Sequence, residues 1–109
     1  MLPNKARLRS SERIGTIFKQ GKYSHGKLLL IKYLPNNKNS ARITISVSTK
    51  LFKQAVKRNK IKRLIREAIK PHLENLPKID ILIIAKGSID ISTPLSEIKA
   101  DLDNLLLKL

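Results

Sequence analysis

Residues 79–85 read IDILIIA, a β-rich run that is apolar everywhere except at Asp80. Such a segment fits a central strand covered on both sides, because a strand with one wet face alternates apolar and polar residues. The segments around it are helical by period. Upstream, between residues 52 and 70, Ile61, Leu64, Ile65, Ala68 and Ile69 follow i, i+3, i+4, i+7, i+8, the stripe of a helix laid on a core, and Pro71 ends it. Downstream, Thr93 is expected as N-cap and Pro94 as the first helical residue. They precede a stripe of Leu95, Ile98, Leu102, Leu105, Leu106 and Leu109.

Further out, Ile14, Ile17 and Phe18 mark a short helix over residues 10–20, with Ser10 or Ser11 as N-cap and Gly21 as its stop. Residues 27–34 (KLLLIKYL) and 42–48 (RITISVS) read as strands. The second alternates Ile43, Ile45 and Val47 with Thr44, Ser46 and Ser48. Pro35-Asn36-Asn37-Lys38-Asn39 separates the two as a turn-rich loop, so they are expected to form an antiparallel pair, with a shorter strand over 22–25. Helices therefore interleave with strands in an α+β layer arrangement, and with no repeat or linker the chain reads as one domain over 1–109.

The 109 residues carry 23 Lys and Arg against 8 Asp and Glu, a formal charge of +15, and no cysteine. Thiolate catalysis, disulfides and Cys-based zinc sites are excluded, and two isolated histidines, His25 and His72, read as surface residues. The longest apolar runs fall far short of the roughly 20 residues that cross a bilayer. The charge is unevenly placed: residues 1–66 hold 18 basic residues and one acidic residue, Glu12, whereas 67–109 hold 5 basic and 7 acidic. Like charges at that density repel unless a polyanion offsets them, which points to nucleic acid ahead of anionic lipid. The basic segment 2–13 reads as an RNA-facing arm, with an organellar targeting peptide as the alternative.

Residues 50–70, KLFKQAVKRNKIKRLIREAIK, contain nine basic residues and a single acidic one, Glu67. On a helix Arg58, Lys62 and Arg66 align at i, i+4, i+8, with Asn59 and Arg63 beside them, opposite the apolar stripe. A merely solvated helix intersperses Glu with Lys, so the one-sided charge favours phosphate binding over a soluble basic face. Lys50, Lys53, Lys57 and Lys60 extend the same cationic surface. Asn59 suits either an RNA contact or a structural cap. Phe18 and Tyr33 suit either core packing or a groove for unpaired bases. No catalytic residue is assigned: the basic region offers only Glu12 and Glu67 as carboxylates, Asp101 and Asp103 diverge on their helix, and His25 and His72 would have to converge to act as a pair. A stand-alone ribonuclease is disfavoured on that count, and a ribosomal or RNA-chaperone protein is the competing binding class.

The segment Ala55-Val56-Lys57-Arg58-Asn59-Lys60-Ile61-Lys62-Arg63-Leu64-Ile65-Arg66-Glu67 closely resembles the signature of the bacterial ribonuclease P protein component, Arg-Asn-Arg followed by Ile-Lys-Arg-Leu. Ile17-Phe18-Lys19-Gln20-Gly21, the Ser-Val-Ser at 46–48 and Asp80 to Lys86 occur in the family's order, so the likeness covers roughly residues 8–106. It implies an α-β-β-β-α-β-α sandwich with a left-handed β-α-β crossover, an exception to the usual hand. It also implies a cytoplasmic endoribonuclease that works as a ribonucleoprotein. A catalytic RNA, with Mg2+ held mainly by that RNA and the substrate, removes the 5′ leader of precursor tRNA, and neither a membrane nor a small-molecule substrate is involved. By that likeness Arg58, Asn59, Lys60, Lys62, Arg63 and Arg66 touch the catalytic RNA, while Phe18, Tyr33, Ser46 and Ser48 lie near the leader. Departures are Lys60 for the second signature Arg, Ile14 where an aromatic is common, and Thr49 in a longer loop. An alternative register puts Lys32 on the sheet face in place of Tyr33.

Overall fold

The central strand forms where its composition requires. In the computed structural model, which describes residues 2 and 6–109, seven elements follow in the order α1 (Ser11–Gln20), β1 (Lys22–His25), β2 (Leu29–Pro35), β3 (Arg42–Ser46), α2 (Ala55–Ile69), β4 (Ile79–Ala85) and α3 (Leu95–Leu106). The four strands make one sheet in the order β1-β2-β4-β3. Ile81 and Ile83 of β4 point to one face, and Leu82 and Ile84 to the other.

This order corrects one expectation. β2 and β3 do not pair with each other; β4 lies between them, antiparallel to β2 (Ile31 opposite Ile83) and parallel to β3 (Ile43 opposite Ile81). A strand apolar on both faces is stabilised in the middle of a sheet. Residues 36–41 easily bridge the gap left for it, since two inter-strand spacings come to only about 10 Å. The parallel pairing makes β3-α2-β4 a crossover unit around the basic helix.

Two cores result. The larger lies between one sheet face and α2 with α3, where Leu29, Ile31, Ile43, Ile61, Ile65 and Leu102 are buried. The smaller joins the other face to α1 through Leu8, Ile17 and Leu82, with Ile14, Leu34 and Ile84 at its margin. Helix α1 is capped as expected: Ser10 Oγ accepts from Arg13 N–H at 3.2 Å, and Gly21 N–H donates to Ile17 O at 2.8 Å. The open edge of β3 is covered by the N-terminal segment, whose Leu8 N–H donates to Ile43 O at 2.9 Å.

Element ends moved by a few residues. The strand expected over 42–48 stops at Ser46, although Val47 is still buried. Helix α2 ends at Ile69, and Pro71 falls within a 3-10 turn over Lys70–His72. At α3 the cap is Pro94, because the Thr93 hydroxyl is engaged upstream, accepting from Asp90 N–H at 2.8 Å. Asp101 and Asp103 do diverge. Asp103 Oδ1 meets His72 Nε2 at 2.6 Å, tying α3 to the end of α2, and makes His72 more than a bystander on the surface.

Asp101 reaches the turn between β1 and β2, where its carboxylate accepts from the N–H groups of Lys27 (2.8 Å), Leu28 (3.0 Å) and Leu29 (3.0 Å). That close approach requires glycine at 26, since a Cβ there collides with both carboxylate oxygens of Asp101. Gly26→Ala is expected to lower stability by about 1–3 kcal/mol, the usual cost of forced overpacking. Denaturant unfolding checks it, and an unchanged midpoint would mean that the carboxylate simply swings aside.

Candidate nucleic-acid interface

A buried carboxylate sets the geometry of the surfaces around it. Asp80, fully buried on β4, accepts from Arg42 Nε (2.8 Å) and Nη2 (2.7 Å) on β3, from Arg13 Nε (2.8 Å) on α1, and from Asn36 Nδ2 (2.8 Å) in the β2–β3 loop. Burial is the largest influence on its acidity and pushes the pKa up. The hydrogen bonds from Arg42, Arg13 and Asn36, with the Arg42 charge, outweigh it and hold the carboxyl below its ordinary value. The same contact, its hydrogen bond first, raises the Arg42 pKa against a smaller opposing effect of burial. One carboxylate thereby fastens the N-terminal turn of α1 to β3, β4 and the β2–β3 loop.

On α2 the division expected from the helical period is present. Ile61, Ile65, Ala68 and Ile69 are buried, Lys57, Asn59, Lys60 and Arg63 are exposed, and Arg58, Lys62 and Arg66 are half-buried at the flanks. Lys62, Arg63 and Arg66 line one groove with Arg7 and Arg9 of the N-terminal segment and Thr44 of β3. Arg7 and Arg9 thus join a cationic surface with α2; residues 3–5 of the segment expected as an RNA-facing arm lie outside the described residues. Arg58 has a different position from its neighbours: its Nη1 donates to the carbonyls of Phe52 (2.8 Å) and Lys53 (2.9 Å). It therefore holds the loop that carries Lys50 and Lys53, both exposed. Asn59 stands inside the helix, whose N-cap is Gln54, so it is not a cap.

On the other sheet face Phe18 of α1 and Lys32 of β2 meet. Lys32 Nζ lies 3.9 Å from the centroid of the Phe18 ring and donates to Phe18 O at 3.0 Å, which places Lys32 on the α1 face. Its neighbours Ile31 and Tyr33 consequently point the opposite way, and Tyr33 packs against the larger core. The expected grouping of Tyr33 with Phe18 is corrected on this point: the alternative register holds, and Lys32 takes the place on the α1 face. Phe18 is 57% exposed. Ser46 is exposed at the end of β3. Ser48 lies in the following loop, where its Oγ accepts from Lys50 N–H at 3.1 Å.

Sequence reading passed over Tyr23. It pairs with Lys32 across β1 and β2, so it shares the α1 face, and it is 63% exposed. The signal was present in the alternation of Lys22-Tyr23-Ser24-His25, too short to assign a face without the pairing. Among the described residues no group of three or more His, Cys, Asp or Glu side chains converges to hold a metal ion, and no helix is long and apolar enough to cross a membrane.

Comparison with known proteins gives a consistent result. The sequence profile of the family described as Ribonuclease P matches residues 2–109. The chain is similar to the ribonuclease P protein component of Staphylococcus haemolyticus, with 38% identity over 100 residues, covering 92% of this chain and 86% of that one. It is also similar to that of Synechococcus elongatus, with 30% identity over 112 residues, 98% of this chain and 92% of that one. Among solved structures, the RNase P protein of Staphylococcus aureus superposes with a TM-score of 0.82 at 31% identity, covering 94% of each chain. That of Thermotoga maritima gives 0.81 at 28% identity, covering 94% of this chain and 96% of that one. The α+β sandwich with three helices and a four-stranded sheet is therefore the fold of these proteins.

Proposed function

The chain belongs to the ribonuclease P protein family, and on that premise we propose that it binds two RNAs at once, the catalytic RNA through α2 and its loop, and the 5′ leader of precursor tRNA in the cleft beside α1. The observation that carries this reading is the separation of the binding groups into two places, the β3 edge with α2 and the face against which α1 packs. The cations of α2 and the N-terminal segment surround one groove, while Phe18 and Lys32 stand on the face against which α1 packs. A double-stranded or folded RNA is held by its phosphates, for which arginine forks and lysine point charges suffice. Unpaired nucleotides also offer base faces, for which an exposed aromatic ring is the fitting partner.

In the holoenzyme the phosphodiester is hydrolysed by the RNA subunit, in the cytoplasm. Mg2+ is assigned to RNA and substrate oxygens, and no step through it falls to this chain. The protein's contribution is to neutralise phosphates, so that the RNA folds and retains its ions at physiological salt, and to add affinity for substrates that still carry a leader. Lys50, Lys53, Lys57, Lys60, Lys62, Arg63 and Arg66 supply the charge, Arg58 shapes the loop, and Ser46 and Ser48 border the leader path.

Reconstitution with the cognate catalytic RNA tests this. Adding the protein is expected to permit cleavage at lower Mg2+ and to favour precursor over mature tRNA. Phe18→Ala should weaken precursor binding roughly 5- to 100-fold, the value of one stacked base, and leave mature tRNA unaffected. An equal loss for both RNAs would favour a general RNA-binding protein, and cleavage by the purified protein alone would favour a stand-alone ribonuclease.

A further inference from the structure

The chain has four aromatic side chains, Phe18, Tyr23, Tyr33 and Phe52. Tyr33 and Phe52 are half-buried against the larger core. The two exposed ones, Phe18 and Tyr23, both stand on the α1 face of the sheet, and both are neighbours of Lys32. An aromatic residue on a short edge strand ordinarily reflects strand propensity, and its ring packs on whatever lies beside it. Tyr23 instead leaves most of its surface in water, with its ring steadied edge-on by His25, the two centroids 5.3 Å apart at 82°.

The link between the two rings is short and stiff. Helix α1 ends at Gln20, Gly21 turns the chain, and β1 begins at Lys22. The Gly21 N–H is bonded to Ile17 O, and a Cβ at 21 would lie 2.5 Å from that oxygen, so the turn depends on glycine. Phe18 at the end of the helix and Tyr23 at the start of the sheet therefore hold a fixed relation. The Lys32 ammonium lies at the Phe18 ring and is carried by the residue opposite Tyr23.

From this arrangement we infer that Tyr23 is a second base-stacking platform, and that Phe18, Lys32 and Tyr23 together take up consecutive unpaired nucleotides, with bases on the two rings and a phosphate at the ammonium. The inference rests on the cleft reading above and adds to it a second stacking residue and the way consecutive nucleotides are held, with little preference among bases because each has a π-face. Tyr33 does not share this role, being on the opposite face.

The test uses the reconstituted holoenzyme with precursor and mature tRNA. Tyr23→Ala is expected to weaken precursor binding roughly 5- to 100-fold without changing mature tRNA, and Tyr23→Phe to retain wild-type affinity, since the ring and not the hydroxyl stacks. Loss in Tyr23→Phe as large as in Tyr23→Ala overturns the stacking role. No loss in Tyr23→Ala, with Phe18→Ala still selective for precursor, overturns the inference and leaves the cleft reading standing; if neither variant is selective, the cleft reading itself fails. Should Tyr23→Ala misfold, a second measurement decides. The chain has no tryptophan, so Tyr33→Phe leaves Tyr23 as the sole tyrosine emitter. Quenching of its emission by a single-stranded leader oligonucleotide added to the holoenzyme is expected, and unchanged emission at saturation overturns the proposal.

Discussion

Asp80→Ala is expected to destabilise the protein by about 3 kcal/mol, the lower end of the cost of breaking a buried ion pair, which lowers the melting temperature by about 12 °C for a chain of this length. The lower end applies because the two arginine side chains are not fully buried, at 30% and 24% exposure, and can turn partly to water once the carboxylate is gone. What remains unsatisfied is the set of donors that converge on Asp80 from α1, β3 and the β2–β3 loop. Thermal unfolding followed by circular dichroism checks the value, and a fall below about 1 kcal/mol would reduce the network to a surface pairing.

The pH dependence has a definite sign. The carboxyl of Asp80 is more acidic in the folded chain than in the unfolded one, whose ordinary value is about 3.9. The unfolded state therefore binds more protons in this range, and stability rises with pH. Asp80's contribution is complete above the unfolded value and is lost as pH falls below it toward the folded one. In Asp80→Ala the difference from wild type should shrink as pH drops below about 4. Because Arg13 belongs to α1, the same substitution is expected to loosen the helix that carries Phe18.

The second large effect concerns binding. Replacing Lys62, Arg63 and Arg66 together by glutamine should lower affinity for the catalytic RNA by about 100-fold, at about 1 kcal/mol for each phosphate contact. The plot of log affinity against log salt should become shallower by about 2 to 3, since fewer counterions are released. The folded state should tolerate the change: glutamine is a good helix former, and Lys62 and Arg66 repel each other at i, i+4. Filter binding over a range of salt measures both quantities, and an unchanged slope would remove α2 from the phosphate-binding surface.

How much of this was legible in the sequence differs from residue to residue. The stripe of Ile61, Ile65, Ala68 and Ile69 and the cations opposite it were readable because both follow from the 3.6-residue period of one helix. The Ser10 cap and the Gly21 stop were readable for the same local reason. The partners of Asp80 were not, since Arg13, Asn36 and Arg42 approach it from segments 38 to 67 positions away. A lone acid in an apolar strand announces only that some partner must exist. Arg58 matched its signature position, yet its hold on the loop carbonyls is visible only where the loop folds back.

By itself, then, the sequence determined the element types, the family likeness and the segregation of charge into residues 1–66, because periodicity, capping and composition are properties of contiguous residues. The tertiary structure alone decided that β4 lies between β2 and β3, and hence which side chains share the α1 face. In a strand with a period of two, a one-residue difference in register exchanges the faces. Lys32 stands beside Phe18, Tyr23 shares its face, and Tyr33 faces the core, because of how strands distant in sequence pair.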